Sequence, residues 1–449
     1  MTALGTRLSR RSQLKVAGGL AGVAFTAACG APTASQQSIT LSAAPVTIQL
    51  YKRGTLVEAD VNTMLKDWTA LHPTWKVEVV QNKSNLEALA PHIAGGDKID
   101  VLGWYKTVRE MIANTGIPKL LDDYIKKDKY AISKFSAKEL DLVGKSKDGK
   151  LYSLYYAWGG NITATFYNRA LFKQAGVPEP PATWDKAWTW DEFRENLRKL
   201  TKKSGGTTTQ VGINTYGSLM VSPLVLTDAK WISDDWKKMD VTNNELLTTY
   251  ERLVDIFAKD GSGMISQGVD VGTTSQEQAF LTGKVAMHTI CCGPAAPAKK
   301  FTDAGMDWAF APTPKMKYAA PDLQSNLVML TNLGAYPDHG WELTKHLIDE
   351  NRWGGVEGRI PAVSADATTW AKETFKSTPN VRPEVLSESV KYSRPVDKIK
   401  YHPFGDGGDL YKVIEPVVND CMAGKATVRS AIPPLQSQLQ AIMDRSPSF

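Results

Sequence analysis

Val46-Thr-Ile-Gln-Leu-Tyr51, Lys76-Val-Glu-Val-Val-Gln81 and Ile99-Asp-Val-Leu-Gly-Trp104 are three short, β-prone runs within the first hundred or so residues. Between the first two, Val61, Met64, Leu65, Trp68 and Leu71 recur at helical spacing until Pro73 ends the segment. A helical stretch also leads into the third run. Strand, helix, strand, helix, strand in that order is the rhythm of parallel strands joined by helical crossovers, which makes the fold class α/β.

Toward the C-terminus a second series begins at Ile162-Thr-Ala-Thr-Phe-Tyr167. A short helix closed by Gly176 follows, then one opened by a capping box, Thr189 with Glu192 three residues on. Helices are predicted at 244–259 and 275–282, the latter capped by Ser275 with Gln278, and further strands at Val285-Ala-Met-His-Thr-Ile290 and Trp308-Ala-Phe310. The pair Pro433-Pro434 divides the last helical region, and no fixed-period repeat is present. Roughly 400 residues exceed what one hydrophobic core supports, so two domains are expected.

Upstream of the first strand the composition changes. Ser9-Arg10-Arg11-Ser12-Gln13-Leu14-Lys15 precedes an Ala/Gly-rich apolar run that ends in Thr26-Ala27-Ala28-Cys29. Small residues ahead of a cysteine are what a lipoprotein signal peptidase requires, and the run is shorter than the roughly 20 residues of a membrane span. The expectation is a signal peptide over 1–28, lipidation of Cys29 and a flexible tether over 29–45, with the protein exported and anchored on the outer face of a bacterial cytoplasmic membrane. The arginine pair points to twin-arginine export and Gln13 departs from that pattern, which leaves the route open between it and the general secretory one.

Removing four basic residues with the signal leaves 49 Lys and Arg against 47 Asp and Glu, a balance of +2 in place of +6. Such a balance argues against a nucleic-acid partner. Besides Cys29, three cysteines remain. Cys421 lies on the apolar stripe Leu410, Val413, Ile414, Val417, Val418, Cys421, Met422 and reads as a buried thiol, while a bridge to it from Cys291 or Cys292 stays open for an exported chain.

Several of these segments carry a resemblance. Asp148-Gly-Lys-Leu-Tyr-Ser-Leu-Tyr-Tyr156, Thr163-Ala-Thr-Phe-Tyr-Asn168, Ala170-Leu-Phe-Lys-Gln-Ala-Gly-Val-Pro178, Thr189-Trp-Asp-Glu-Phe193, Phe280-Leu-Thr-Gly-Lys-Val-Ala-Met287, Cys292-Gly-Pro294 and Pro312-Thr-Pro314 resemble, in order, the family 1 extracellular solute-binding proteins. These are the sugar receptors of ABC importers. The likeness covers most of 46–360. It implies two α/β lobes of the periplasmic-binding-protein kind, each a mostly parallel sheet flanked by helices, with hinge crossovers and a ligand cleft between them. The N-lobe would comprise 46–157 plus 326–375 and the C-lobe 158–325 plus 376–449. A monomer that captures a mono- or oligosaccharide by closing, then hands it to membrane permease subunits, is the implied function. The ATPase would be a separate chain, since no Gly-x-x-x-x-Gly-Lys-Ser/Thr loop is present.

Candidate ligand contacts follow from chemistry and position. A tryptophan ring offers an apolar face to a pyranose and an N–H to its hydroxyls, and the chain has 13 tryptophans. In open α/β sheets ligands sit beyond the carboxyl ends of strands, which selects Tyr51 and Arg53 after the first run and Trp104 and Tyr105 after the third. Trp158 and Asn161 flank a Gly-Gly pair where the chain should pass between lobes. In the C-lobe the candidates are Tyr216, Trp231, Cys292 and Gly293, and in the glycine-rich loop before Pro361 they are Trp353 and Arg359. Trp104, Asn161 and the loop holding Trp353 and Arg359 also match ligand-facing positions in the resembled family.

Catalytic patterns are absent from the sequence. Asp122-Asp123 and Asp234-Asp235 are adjacent acids of the kind found in solvated turns, and there is no His-Glu-x-x-His or Gly-x-Ser-x-Gly. No metal or cofactor is expected: His288 with the vicinal Cys291 and Cys292 spaces poorly for tetrahedral coordination, and Gly405-Asp-Gly-Gly-Asp409 lacks the alternation of a calcium loop. A secreted glycoside hydrolase is the enzyme alternative, and a sensor or adhesin on the same fold the other.

Overall fold

The computed structural model describes residues 41, 44–54, 56–82, 89–104, 108–146, 148–162, 164–214, 222–235, 237–264, 275–289, 293–394 and 408–445. Twelve strands appear among them: β1 Val46–Arg53, β2 Trp75–Asn82, β3 Val101–Trp104, β4 Leu154–Ile162, β5 Thr165–Asn168, β6 Lys202–Ser204, β7 Thr207–Asn214, β8 Gly263–Met264, β9 Val285–Thr289, β10 Trp308–Ala311, β11 Asp322–Leu330 and β12 Ile360–Pro361. They form two sheets. The first runs β12-β4-β11-β3-β1-β2, and the second runs β10-β5-β9-β7-β6 with β8 paired to β7.

The three opening runs are β1, β2 and β3, and they are parallel to one another as the sequence rhythm requires. The intervening segment breaks into helices Glu58–Met64 and Trp68–Leu71, ending ahead of Pro73. In the second sheet β7, β8 and β9 are parallel. The remaining pairings are antiparallel, so both sheets are mixed. The added antiparallel strands are mainly those at the passages between the sheets. β4 pairs with β11 along its length, and two residues beyond its end the chain enters β5 of the second sheet. From β10 it returns through 312–321 to β11. A third passage follows helix Ala367–Thr374: the next long helix, Glu384–Tyr392, receives the Trp184 indole N–H on its Val385 carbonyl at 3.0 Å, which ties it to the second sheet's half.

Burial explains the elements. Val46, Ile48 and Leu50 alternate into the core from β1, the period-2 pattern of a strand with one buried face. Helix Trp190–Leu200 starts with Thr189 accepting from the Glu192 amide while Glu192 returns to the Thr189 amide, the capping box read from the sequence. Phe166, Phe280, Phe301, Trp308 and Phe310 close the second core with ring centroids 4.7 to 6.5 Å apart. Trp68 and Trp308 are both buried, as their stripes indicate. Cys421 is a free, fully buried thiol in helix Asp409–Met422, and its burial raises its pKa.

Candidate functional site

Lys52 is the last inward-facing residue of β1, on the same face as Ile48 and Leu50, yet it is buried. Its cross-strand neighbour is Gly103 of β3. A Cβ at Gly103 would lie 2.1 Å from the Trp353 ring, so the missing side chain is what lets the edge of that indole reach the strand end. Trp353, from helix Arg352–Val356, stacks on Tyr156 of β4 with centroids 4.3 Å apart and planes 13° off parallel.

These groups converge on the Glu357 carboxylate. Lys52 Nζ lies 2.8 Å from Oε1, which also accepts the Trp353 indole N–H at 3.0 Å. Oε2 accepts from Arg359 Nε at 2.5 Å and from the Tyr156 hydroxyl at 3.2 Å. Burial alone would raise the Glu357 pKa, but Arg359 and Lys52 outweigh it and hold the carboxyl below its ordinary value. Two cations and one anion leave this cluster with a net charge of +1. Two guanidinium or ammonium groups satisfied by one buried carboxylate make a rigid floor at the end of the first sheet, and both of its cations are already engaged.

Those nominated aromatics that fall among the described residues are covered in this structure. Tyr51, Trp104, Trp158, Trp231 and Trp353 are each at most 2 % exposed, so none presents an open ring face. Tyr51 packs edge-on against His92 and lines a cavity of about 320 Å³ together with Gln49, Val80, His92 and Asp97. Trp104 ends β3 beside Leu327 of β11. Trp158 lies mid-β4 between Ser325 and Ile360, edge-on to Tyr155, and its buried indole N–H has no hydrogen-bond partner among the described residues. Trp231 donates to the Tyr250 hydroxyl at 3.0 Å within the second core, whereas Trp353 and Arg359 meet in the Glu357 cluster. Gly293 lies against the Glu357 carbonyl. Arg53 and Asn161 fall within β1 and β4 but their side chains lie outside the description, and Tyr105, Tyr216, Cys292 and Cys29 lie outside the described residues.

Glu357 and Tyr156 were not singled out by sequence. A single acid between glycines carries no pattern, and its partners are brought to it only by the tertiary fold. Lys52 sits at the strand end between the candidates Tyr51 and Arg53, and its side chain turns to Glu357.

At the carboxyl ends of the second sheet the polar groups are also engaged internally. Asn214 donates to the Gln276 carbonyl at 3.0 Å and its Oδ1 lies 2.6 Å from His288 Nδ1, which assigns the proton of a neutral imidazole to Nδ1. Burial lowers the His288 pKa to about 3. The Thr289 hydroxyl donates to the Asn214 carbonyl, and Thr313 to Ala320. An adjacent cavity of about 60 Å³ is walled mainly by apolar side chains, among them Trp190, Phe193, Ile213, Leu253 and Phe257, with Thr165, Thr289, Thr313 and Asp322 also on its lining. Among the described residues no group of His, Cys, Asp and Glu is arranged to hold a metal ion, and no helix is long and apolar enough to cross a membrane.

Comparison with known proteins adds the following. The family model described as bacterial extracellular solute-binding protein matches residues 55–349. No curated protein matches the sequence significantly. Among solved structures, the ABC substrate-binding protein Lmo0181 from Listeria monocytogenes, in complex with cycloalternan, is similar with a TM-score of 0.72 at 19% identity, covering 89% of this chain and 99% of that one. The sugar-binding protein MalE from Xanthomonas citri gives 0.71 at 16% identity over 89% and 98%. UgpB from Mycobacterium tuberculosis, in complex with glycerophosphocholine, gives 0.69 at 16% identity, again over 89% and 98%. At these identities the likeness is one of fold.

Proposed function

The chain belongs to the family of bacterial extracellular solute-binding proteins, and from that premise we propose that it is the receptor of an ABC importer that captures a mono- or oligosaccharide by closing two lobes over it. The N-lobe is assigned to 46–157 plus 326–375 and the C-lobe to 158–325 plus 376–449. A lipid on Cys29 would hold the receptor at the membrane as a monomer, within reach of the permease that receives the sugar.

What supports this reading most is the pair of long crossing strands β4 and β11, which join the two sheets' halves beside the Glu357 cluster. A ligand touching both halves stabilises the closed arrangement over the open one, and only that difference in affinity can move the equilibrium. The ring faces now covered, those of Trp104 and Trp158 first, are the surfaces that lobe opening would uncover for a pyranose. Lys52 and Arg359 both hold Glu357, and the reading takes the ligand as an uncharged sugar.

A thermal-shift panel of sugars, sugar phosphates and polyols on the protein tests this. A ligand that binds only the folded chain at a hundredfold excess over its Kd stabilises by about 2.7 kcal/mol. The expected result is a raised midpoint with a neutral sugar that chromatography then recovers unchanged. Cleavage of a glycoside in the same wells would make the chain a hydrolase instead, and a hit confined to sugar phosphates would contradict the uncharged ligand.

A further inference from the structure

The loop that carries Glu357 meets the second sheet's half at one tight place. A Cβ on Gly293, just ahead of helix Ala295–Asp303, would lie 2.1 Å from the Glu357 carbonyl oxygen and 3.1 Å from that of Gly358. No side chain fits there. From the other side Gly358 has φ +62°, a conformation that favours glycine, and a Cβ on it would lie 2.9 Å from that of Ala295. The two segments thus exclude side chains from each other reciprocally, and backbone meets backbone.

Among the described residues a hydrogen bond crosses the contact. Ala295 is the first residue of helix Ala295–Asp303, whose N-terminus has no side-chain cap, and its amide donates to the Gly358 carbonyl at 3.4 Å. A carbonyl from the first sheet's half therefore supplies an acceptor to a helix of the second. Glu357 holds that carbonyl in place, because its side chain is pinned by Lys52 of β1, Tyr156 of β4, Trp353 and Arg359. The loop side of the contact is thus tied to β1 and β4 through the Glu357 carboxylate.

We propose that the 357–358 backbone and the Gly293–Ala295 segment form a ligand-independent clasp that keeps part of the unliganded population closed, with Glu357 as its positioning residue. This rests on the receptor reading above, in which the halves move as lobes. The clasp sets how much of the protein is closed before any sugar arrives, and the apparent affinity for sugar scales with that fraction.

Two variants test it. Gly293→Val drives a branched side chain into a carbonyl, a clash that no rotamer relieves. Ala295→Glu places an acid at a helix start, which suits the helix dipole, while its bulk grows from a Cβ already so close to Gly358 that no side chain fits there. Small-angle scattering of the unliganded proteins reads the radius of gyration, with Lys299→Glu on the exposed face of the same helix as control and circular dichroism as the check on folding. The clasp predicts a larger radius for both variants than for wild type and control. A folded variant with the wild-type radius overturns it, and should Gly293→Val fail to fold, Ala295→Glu decides. If instead no sugar of the panel binds wild type, the receptor reading falls, whatever the variants do to the radius.

Discussion

Glu357 receives Lys52, Arg359, Trp353 and Tyr156 through one carboxylate, so its loss is felt by β1, β4 and the 352–359 segment together. Glu357→Ala leaves the buried Lys52 without that partner, and breaking a buried pair by removing one member costs about 3–5 kcal/mol. Urea unfolding is expected to show a loss of that order, and Glu357→Gln a smaller one because the amide keeps some acceptors. A change below ~1 kcal/mol for Glu357→Ala would mean the cluster is not what holds the loop. Trp353 and Arg359 were legible in the sequence as a pair flanking a glycine-rich loop. Their shared acceptor was not, since only the approach of β1, β4 and the 352–359 segment gives Glu357 its meaning. The same holds for Gly103, whose role is visible only when an indole occupies the space of its absent Cβ.

At the scale of elements, the first half contains a histidine-rich seam that the sequence shows only as scattered residues. His72 stacks on Trp75 at 4.1 Å, His339 meets Trp75 edge-on at 4.5 Å and His346 lies 5.3 Å from Trp68. These rings join helix Trp68–Leu71, β2 and helix Pro337–Asp349. Burial lowers the His72 pKa, helped by His346 and His339, and burial also lowers that of His346, with Glu350 and Asp67 opposing and Arg352 assisting. A folded-state pKa below the unfolded value means the native state binds fewer protons. The stabilisation is therefore complete above about pH 6.5 and is lost as the pH falls through the depressed folded values. The melting midpoint should drop between pH 7.5 and pH 5, and His72→Phe should flatten that slope; an unchanged slope would assign the dependence elsewhere, His288 being the other depressed imidazole. Elements governed by local chemistry were the legible ones. The Thr189–Glu192 capping box, the Ser275 cap and the apolar stripe around Cys421 all stand in the structure as the residues imply.

Across the whole molecule, the βαβ rhythm of 46–104 and the ordered motifs up to 314 carried the fold class, because helix and strand periods and caps are short-range signals. The mixing of the sheets was hidden: the direction in which β4, β11 and β12 enter depends on passages between the two halves that no local pattern encodes. The aromatic candidates were chosen from strand ends and the resembled family, and the fold covers the rings that are described, so exposure depends on the state of the whole rather than on any residue. That makes closure the point to measure. Scattering of the protein with and without a saturating neutral sugar from the thermal panel is the direct test: the account predicts a smaller radius of gyration with the sugar bound, and a bound, unaltered sugar that leaves the radius unchanged would contradict it.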